Sequence, residues 1–192
     1  MSCDSLLSHI NQFVQLNDEE TMALKSVLIS RPFRQGEMMV KSGDIAGYLM
    51  YVCSGYILTY VHAKDGTEQV IQIATEGWWT PDLFSLTSQT NTSYSTKGLC
   101  DGEVLLFPKL AQNLLFEKYI KFERYFRIIF QESLIRQQSR ILDEFTVTAA
   151  QRYNNFIERF SGIEKCVPQK YIASYLGITP QFLSKIRKSI KR

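Results

Sequence analysis

The residues most suited to binding chemistry lie at the C-terminal end of this chain. Residues 165–192 carry seven Lys or Arg side chains and no Asp or Glu. Residues 1–164 carry 15 basic and 19 acidic side chains, so a strongly positive segment follows an acidic body. The formal net charge of +3 conceals this asymmetry. A basic segment of this kind favours a polyanionic partner.

The pattern within residues 169–188 predicts two short helices joined by a tight turn. Ile172 and Leu176 would line one face of the first helix. Gly177 follows at the turn, where a left-handed backbone is easy only without a Cβ atom. Thr179 can cap the second helix, and Pro180 occupies its first position, where no N–H donor is needed. The spacing therefore indicates a helix–turn–helix.

A helix–turn–helix places its second helix in the major groove of DNA. Gln181 is suited to adenine or cytosine edges and Lys185 to guanine O6 and N7. Lys170 and Lys188, with the last two residues of the chain, are suited to phosphates. Phe182 has two interpretations, partial packing or contact with a thymine methyl. The predicted DNA-contacting residues are Gln169, Lys170, Thr179, Gln181, Phe182, Ser184, Lys185 and Lys188.

Two regions with different predicted secondary structure precede this segment. Residues 4–29 are predicted to be helical, with Asn17 as an N-cap and Glu20 completing a capping box. Residues 31–107 contain short β-rich runs separated by turn signals. Two of these runs flank the Asp65-Gly66 turn, which is a strong hairpin signal. Many short strands of this kind predict a sandwich, roll or barrel.

A helical stretch follows the β-rich region, which Pro108 is predicted to end. Residues 109–117 are predicted to form a short helix, and residues 118–145, which contain no Gly or Pro, one long helix. One side of this helix is suited to covering the β-roll. A second apolar row repeats every seven residues and predicts either a dimer seam or a helix buried on both sides. That row comprises Ile128, Ile135 and Leu142.

The combination of a β-roll, a long helix and a C-terminal helix–turn–helix resembles the Crp/Fnr family of bacterial transcription regulators. Motifs in the first half are similar to the turns of a cyclic-nucleotide-binding roll. They are Phe33-Arg-Gln-Gly-Glu37, Ser42-Gly-Asp44, Val52-Cys-Ser-Gly-Tyr-Ile57, Lys64-Asp-Gly-Thr-Glu68 and Glu76-Gly-Trp-Trp79.

The resemblance implies an α+β fold and three regions. Residues 1–117 would form an antiparallel, jelly-roll-like β-roll sensor domain with flanking helices. Residues 118–145 would form the connecting and dimerisation helix. Residues 146–192 would form the DNA-binding domain, and no evident wing follows its second helix. The implied partners are a second copy of the chain, double-stranded DNA with a two-fold-related site, an effector of unknown identity, and RNA polymerase as a candidate.

The chain departs from the cyclic-nucleotide binders at the effector pocket. Their Gly-Glu pair aligns with Pro81-Asp82 and their Arg-Ser pair with Thr92-Ser93, so Asp82, Thr92 and Ser93 are the candidate pocket residues. No arginine occurs between Arg34 and Arg124. A cyclic phosphate would lack the bidentate partner that lysine cannot replace. We therefore expect no control by cyclic AMP.

Other function classes find little support in the sequence. Two histidines and four scattered cysteines favour neither a metal site nor an iron–sulfur cluster, so we expect no cofactor and no enzymatic activity. No signal peptide is evident and no apolar run approaches the ~18–20 residues that span a bilayer, so we expect a cytoplasmic protein. The alternative function is a ligand-binding or protein-interaction module that does not act on DNA.

Overall fold

The structure is a computed structural model that describes residues 2–80, 82–160 and 162–190. Its architecture is α+β, as predicted: two antiparallel sheets form a roll, and a long helix connects it to a C-terminal helical region. The strands are β1 (Ile29–Phe33), β2 (Met38–Val40), β3 (Tyr48–Ser54), β4 (Ile57–His62), β5 (Glu68–Ala74), β6 (Trp79–Thr80), β7 (Ser95–Gly98) and β8 (Gly102–Pro108). The helices are α1 (Ser2–Asn11), α2 (Asp18–Val27), α3 (Leu83–Ser88), α4 (Lys109–Lys118), α5 (Ile120–Thr146), α6 (Ala149–Arg159), α7 (Gln169–Tyr175) and α8 (Pro180–Ile190), with a short 3-10 turn at Ile163–Lys165.

Each sheet of the roll has four strands. Their orders are β1-β8-β3-β6 and β2-β7-β4-β5, and every pairing is antiparallel. The hairpin predicted around Asp65-Gly66 is present as β4–β5, with His62 paired to Glu68 at its closed end. Strand β5 lies at an edge of its sheet, so one row of its backbone groups has no partner strand.

The first half of α5 is buried against the roll. Phe122 and Tyr125 are fully buried in a core shared with α1 and the first sheet. The Trp79 Nε1–H donates a hydrogen bond of 2.9 Å to the Tyr125 hydroxyl, which lies 2.8 Å from His9 Nδ1. These contacts fix α5 to β6 and α1, because a buried hydroxyl or indole N–H left unpaired would be costly.

The second half of α5 exposes apolar side chains instead. The side that was expected to cover the roll does so only as far as Phe130, which packs against the core. Farther along the helix both apolar rows face solvent. The exposed residues are Leu134, Ile135, Ile141, Leu142 and Phe145.

Three local predictions need correction. Residues 4–29 form two helices and not one, because the chain turns after Asn11; the Asn17 capping box that begins α2 is present as predicted, with both hydrogen bonds at 2.8 Å. The long helix begins at Ile120, since α4 extends to Lys118. Helix α3 interrupts the β-rich region and was not predicted.

The C-terminal helices pack directly on the roll. One apolar cluster joins Leu58 and Val70 of the second sheet to Phe156 of α6, Ile172 of α7 and Leu183 of α8. Burying this apolar surface ties the helical region to β4 and β5. Helix α6 ends at Arg159, and Gly162 soon after it adopts a left-handed φ of +81°.

Candidate nucleic-acid interface and effector crevice

Helices α7 and α8 are joined by the tight turn that their sequence predicts. Leu176, Leu183 and Ile186 are buried between and beneath the two helices. Gly177 adopts φ +68°, the left-handed conformation that favours glycine. The Thr179 hydroxyl accepts a hydrogen bond of 3.2 Å from the backbone N–H of residue 182, so it caps α8.

The outer face of α8 is polar and basic. Gln181, Lys185 and Lys188 are exposed, and Ser184 is half-buried. Phe182 is 48% exposed, which leaves its ring open on the same surface. Gln169 at the start of α7 is also exposed, whereas Lys191 and Arg192 lie outside the described residues. The described face thus combines hydrogen-bonding side chains with positive charge, the two requirements for reading base edges and binding phosphates.

The candidate phosphate contact at the start of α7 is engaged within the protein. The Lys170 Nζ lies 3.2 Å from Glu68 Oε2 on β5, and the Tyr171 hydroxyl donates to the same oxygen at 2.9 Å. The other oxygen, Glu68 Oε1, accepts from Lys97 Nζ at 2.6 Å. Burial opposes ionisation of Glu68, but these three hydrogen bonds outweigh it and lower the pKa of its carboxyl to about 2.

Helix α7 also covers the open edge of β5. The backbone N–H of Val70 donates a hydrogen bond of 2.9 Å to the Ser174 hydroxyl. This side chain therefore satisfies an edge-strand donor that would otherwise face solvent. The β4–β5 hairpin and the first helix of the α7–α8 pair are in direct contact.

A crevice of about 290 Å³ lies between the second sheet, α3, α5, α6 and α7. Of the three pocket residues proposed from the sequence, Asp82 lines this crevice, and its carboxylate accepts hydrogen bonds from Ser85 N and the Thr92 hydroxyl. Thr92 is buried behind Asp82, and Ser93 is exposed; neither lines the crevice. The aromatic residues that line it are Trp78, Phe84, Tyr94 and Tyr175.

Three arginines also line the crevice, and sequence reasoning missed them. Arg136 and Arg140 are four residues apart on α5, and Arg159 comes from α6. The position that corresponds to the family's phosphate-binding arginine is Thr92, and no arginine occurs between Arg34 and Arg124. The i, i+4 spacing on α5 was the signal available, since it places both side chains on one face of the helix.

The cysteines and histidines supply no metal cluster among the described residues. Burial raises the pKa of the Cys53 thiol to about 12, so this thiol stays protonated at neutral pH. Burial lowers the pKa of His9, which favours the neutral imidazole beside Tyr125. Within the described ranges, no helix has the length and apolar character needed to span a membrane.

Comparisons with known proteins agree with the roll and the overall architecture. Residues 30–119 match the cyclic nucleotide-binding domain family. FixK2 of Bradyrhizobium japonicum has a similar structure, with a TM-score of 0.74 and 17% identity over 86% of this chain and 85% of that one. The global regulator CLP of Xanthomonas campestris, described as c-di-GMP responsive, gives a TM-score of 0.72 and 13% identity over 91% and 92% of the two chains.

The Thermus thermophilus catabolite activator protein gives a TM-score of 0.58 and 18% identity over 93% of this chain and 85% of that one. No curated protein sequence matches the chain. At these identities the likeness concerns the fold. Residues 30–119 are thus a cyclic nucleotide-binding-type domain, in a chain that has the fold of Crp/Fnr-type transcription regulators.

Proposed function

We propose that this protein is a sequence-specific DNA-binding transcription regulator of the Crp/Fnr type that acts as a homodimer. The observation that carries the proposal is the α7–α8 pair, a helix–turn–helix whose second helix exposes Gln181, Lys185 and Lys188 in the most basic part of the chain. The regulators that share its fold support the same function.

The two helices have different tasks in this proposal. Helix α8 enters the major groove, where Gln181 and Lys185 contact base edges and Lys188 contacts a phosphate. Helix α7 lies across the backbone, and its N-terminal Gln169 and Lys170 contact phosphates. Residues 1–117 act as the sensor, residues 118–145 as the dimerisation helix and residues 146–192 as the DNA-binding domain.

The absence of an arginine from the stretch that holds the candidate pocket residues argues against control by cyclic AMP. Asp82 occupies the position of a ribose-binding carboxylate, but its oxygens already accept hydrogen bonds from Ser85 N and the Thr92 hydroxyl. No arginine between Arg34 and Arg124 can pair with a cyclic phosphate from the roll itself. The regulator either uses another effector or needs none.

In vitro selection from random duplex DNA, with the purified chain at ~100–150 mM salt, tests the proposed function. We expect enrichment of a two-fold-symmetric motif whose half-sites lie about one helical turn, ~34 Å, apart. Lys185→Ala should lose the motif, whereas Lys165→Ala, a matched charge removal outside α8, should retain it. Added cyclic AMP should leave the enrichment unchanged.

The other outcomes of the selection are also informative. Enrichment only after another effector is added would keep the regulator and redirect the search to the crevice. An absence of DNA binding at low salt would overturn the proposal and favour the ligand-binding or protein-interaction module.

A further inference from the structure

The three arginines of the crevice form a concentrated positive site at the junction of the roll, α5 and α6. We propose that this site binds a small anion with two negatively charged groups, one held by Arg136 and the other by Arg159. The inference deepens the proposed function and rests on it, because such an anion would be the effector of the regulator.

Arg136 and Arg159 converge on one aromatic side chain. Each guanidinium Cζ lies 5.1 Å from the ring centroid of Trp78, so the two Cζ atoms are at most twice that distance apart. Two linked phosphate or carboxylate groups can span this separation, and arginine binds both bidentately. Both guanidiniums lie over the Trp78 ring, a cation–π contact that uses none of their N–H donors.

The positive charge of the crevice is poorly compensated. No described carboxylate lies within ion-pair distance of Arg140 or Arg159, and Arg136 has only a loose pair with Glu132 at 3.4 Å on the same helix. Asp82 is the one carboxylate among the described lining residues, and its oxygens are occupied as described above. Asp143 and Glu144 line the adjoining pocket with the same three arginines and with Arg152, so positive side chains outnumber carboxylates across both pockets, which favours an anionic ligand.

The third arginine strengthens the site without being needed for direct contact. The Arg140 Nη1 donates a hydrogen bond of 2.7 Å to the carbonyl of Ile71, and its Cζ lies 5.0 Å from the Tyr175 ring centroid. The side chain is therefore fixed in place, and its positive charge adds to the potential in the crevice.

The position of the site couples it to DNA binding. Trp78 belongs to the roll, Arg136 to α5 and Arg159 to α6, so one anion would bridge the sensor to the helix that leads into the α7–α8 pair. An anion that binds one arrangement of these elements better than another shifts their equilibrium by that difference in affinity.

Isothermal titration calorimetry of the full chain with inorganic pyrophosphate, at constant ionic strength, tests the site. We expect saturable binding of one pyrophosphate per chain, about tenfold tighter than orthophosphate, which offers one group only. A parallel titration with succinate shows whether two carboxylates serve as well as two phosphates. Lys185→Ala should bind pyrophosphate normally, which separates the crevice from the DNA-binding face.

Arginine variants locate the site. Arg136→Gln and Arg159→Gln should each weaken binding by about tenfold. Arg127→Gln is the matched control, because Arg127 lies on the same helix, is exposed and bonds only to Gln131 among the described residues. Circular dichroism and thermal unfolding establish that each variant is folded. If Arg159→Gln does not fold, Arg159→Lys provides a milder change.

Failure of the site and failure of the proposed function give different results. An affinity equal in all folded variants, or no binding of either pyrophosphate or succinate, overturns the anion site. If selection still enriches a two-fold DNA motif in that case, the regulator stands and only this inference falls. Conversely, pyrophosphate binding that depends on Arg136 and Arg159, without any DNA binding, would retain the site and overturn the regulator.

Discussion

The Lys170 Nζ of α7 lies 3.2 Å from the Glu68 carboxylate of β5, which comes 102 residues earlier in the chain. The same carboxylate also accepts hydrogen bonds from Lys97 and Tyr171. Glu68 therefore links the closed end of the β4–β5 hairpin to the start of the helix that we propose lies across the DNA backbone. A DNA phosphate would compete with Glu68 for the Lys170 ammonium.

This competition makes a prediction about salt dependence. Glu68→Gln removes the internal anion, so Lys170 becomes available to a phosphate. We expect DNA affinity to rise at low salt, and the slope of log K against log salt to steepen by about 0.9, the value for one additional phosphate contact. Fluorescence anisotropy with a labelled duplex at several salt concentrations measures the slope.

The control is Glu37→Gln, which removes the same charge from another ion pair. Glu37 bonds to Arg31 at 2.8 Å near the first sheet, away from α7. The slope of log K against log salt for Glu37→Gln should equal that of the unmodified chain. An unchanged slope in folded Glu68→Gln would show that Glu68 does not compete with DNA for Lys170.

The lowered pKa of Glu68 makes a second prediction, about stability and pH. Its folded pKa of about 2 lies below the model-peptide value of 4.5, so the ionised carboxylate stabilises the folded state. This contribution is complete above pH ~4.5 and is lost progressively as the pH falls towards 2. Glu68→Gln should lower the free energy of unfolding at pH 7 by about 2 kcal/mol.

Urea unfolding between pH 3 and pH 7 measures this effect. The difference between the unmodified chain and Glu68→Gln should shrink as the pH falls below ~4.5. The unfolded chain gains a proton at Glu68 in this range, whereas the folded chain, with a pKa of about 2 at this carboxyl, stays ionised. A difference that stays constant over this range would mean that Lys97 and Lys170 do not stabilise the ionised carboxylate.

The Glu68 contacts also show where sequence reasoning reached its limit. The Asp65-Gly66 hairpin, the Asn17 capping box and the Gly177 turn were predictable, because local chemistry determines each of them. The contact between Glu68 and Lys170 was not, since it depends on how the C-terminal helices pack against an edge strand. No local pattern encodes that distance.

The arginine crevice was missed for the same reason. Arg136 and Arg159 belong to different helices and meet only at the Trp78 ring. The sequence prediction followed the expected position at Thr92-Ser93, and no arginine occurs between Arg34 and Arg124. The structure supplies guanidiniums from outside the roll, so the site depends on tertiary packing and not on a motif.

A third prediction concerns the turn between α7 and α8. Gly177 has φ +68°, so Gly177→Ala should cost about 1–2 kcal/mol of stability and weaken DNA binding by displacing α8. Gly47→Ala is the matched control, because Gly47 lacks a positive φ and a Cβ there would meet no atom within 4 Å. Thermal unfolding should show a clear loss for the first variant and little change for the second.

The last prediction concerns dimerisation through the exposed second half of α5. Ile135 and Leu142 are each 59% exposed, although α5 buries its earlier apolar residues against the roll. In the proposed dimer these side chains pack against the same residues of a second copy, since they repeat every seven residues along the helix. Ile135→Arg would place like charges opposite each other and should convert the dimer to a monomer.

Light scattering coupled to size exclusion distinguishes the two states, because the dimer has twice the 22.2 kDa mass of the chain. Leu110→Arg is the control: Leu110 is 79% exposed on α4, so the same change there should leave the dimer intact. The Ile135→Arg monomer should bind a two-fold DNA site at least about tenfold more weakly, since two linked half-site contacts become separate binding events. A chain that is monomeric before mutation, yet binds the two-fold site tightly, would show that α5 is not the dimer interface in solution.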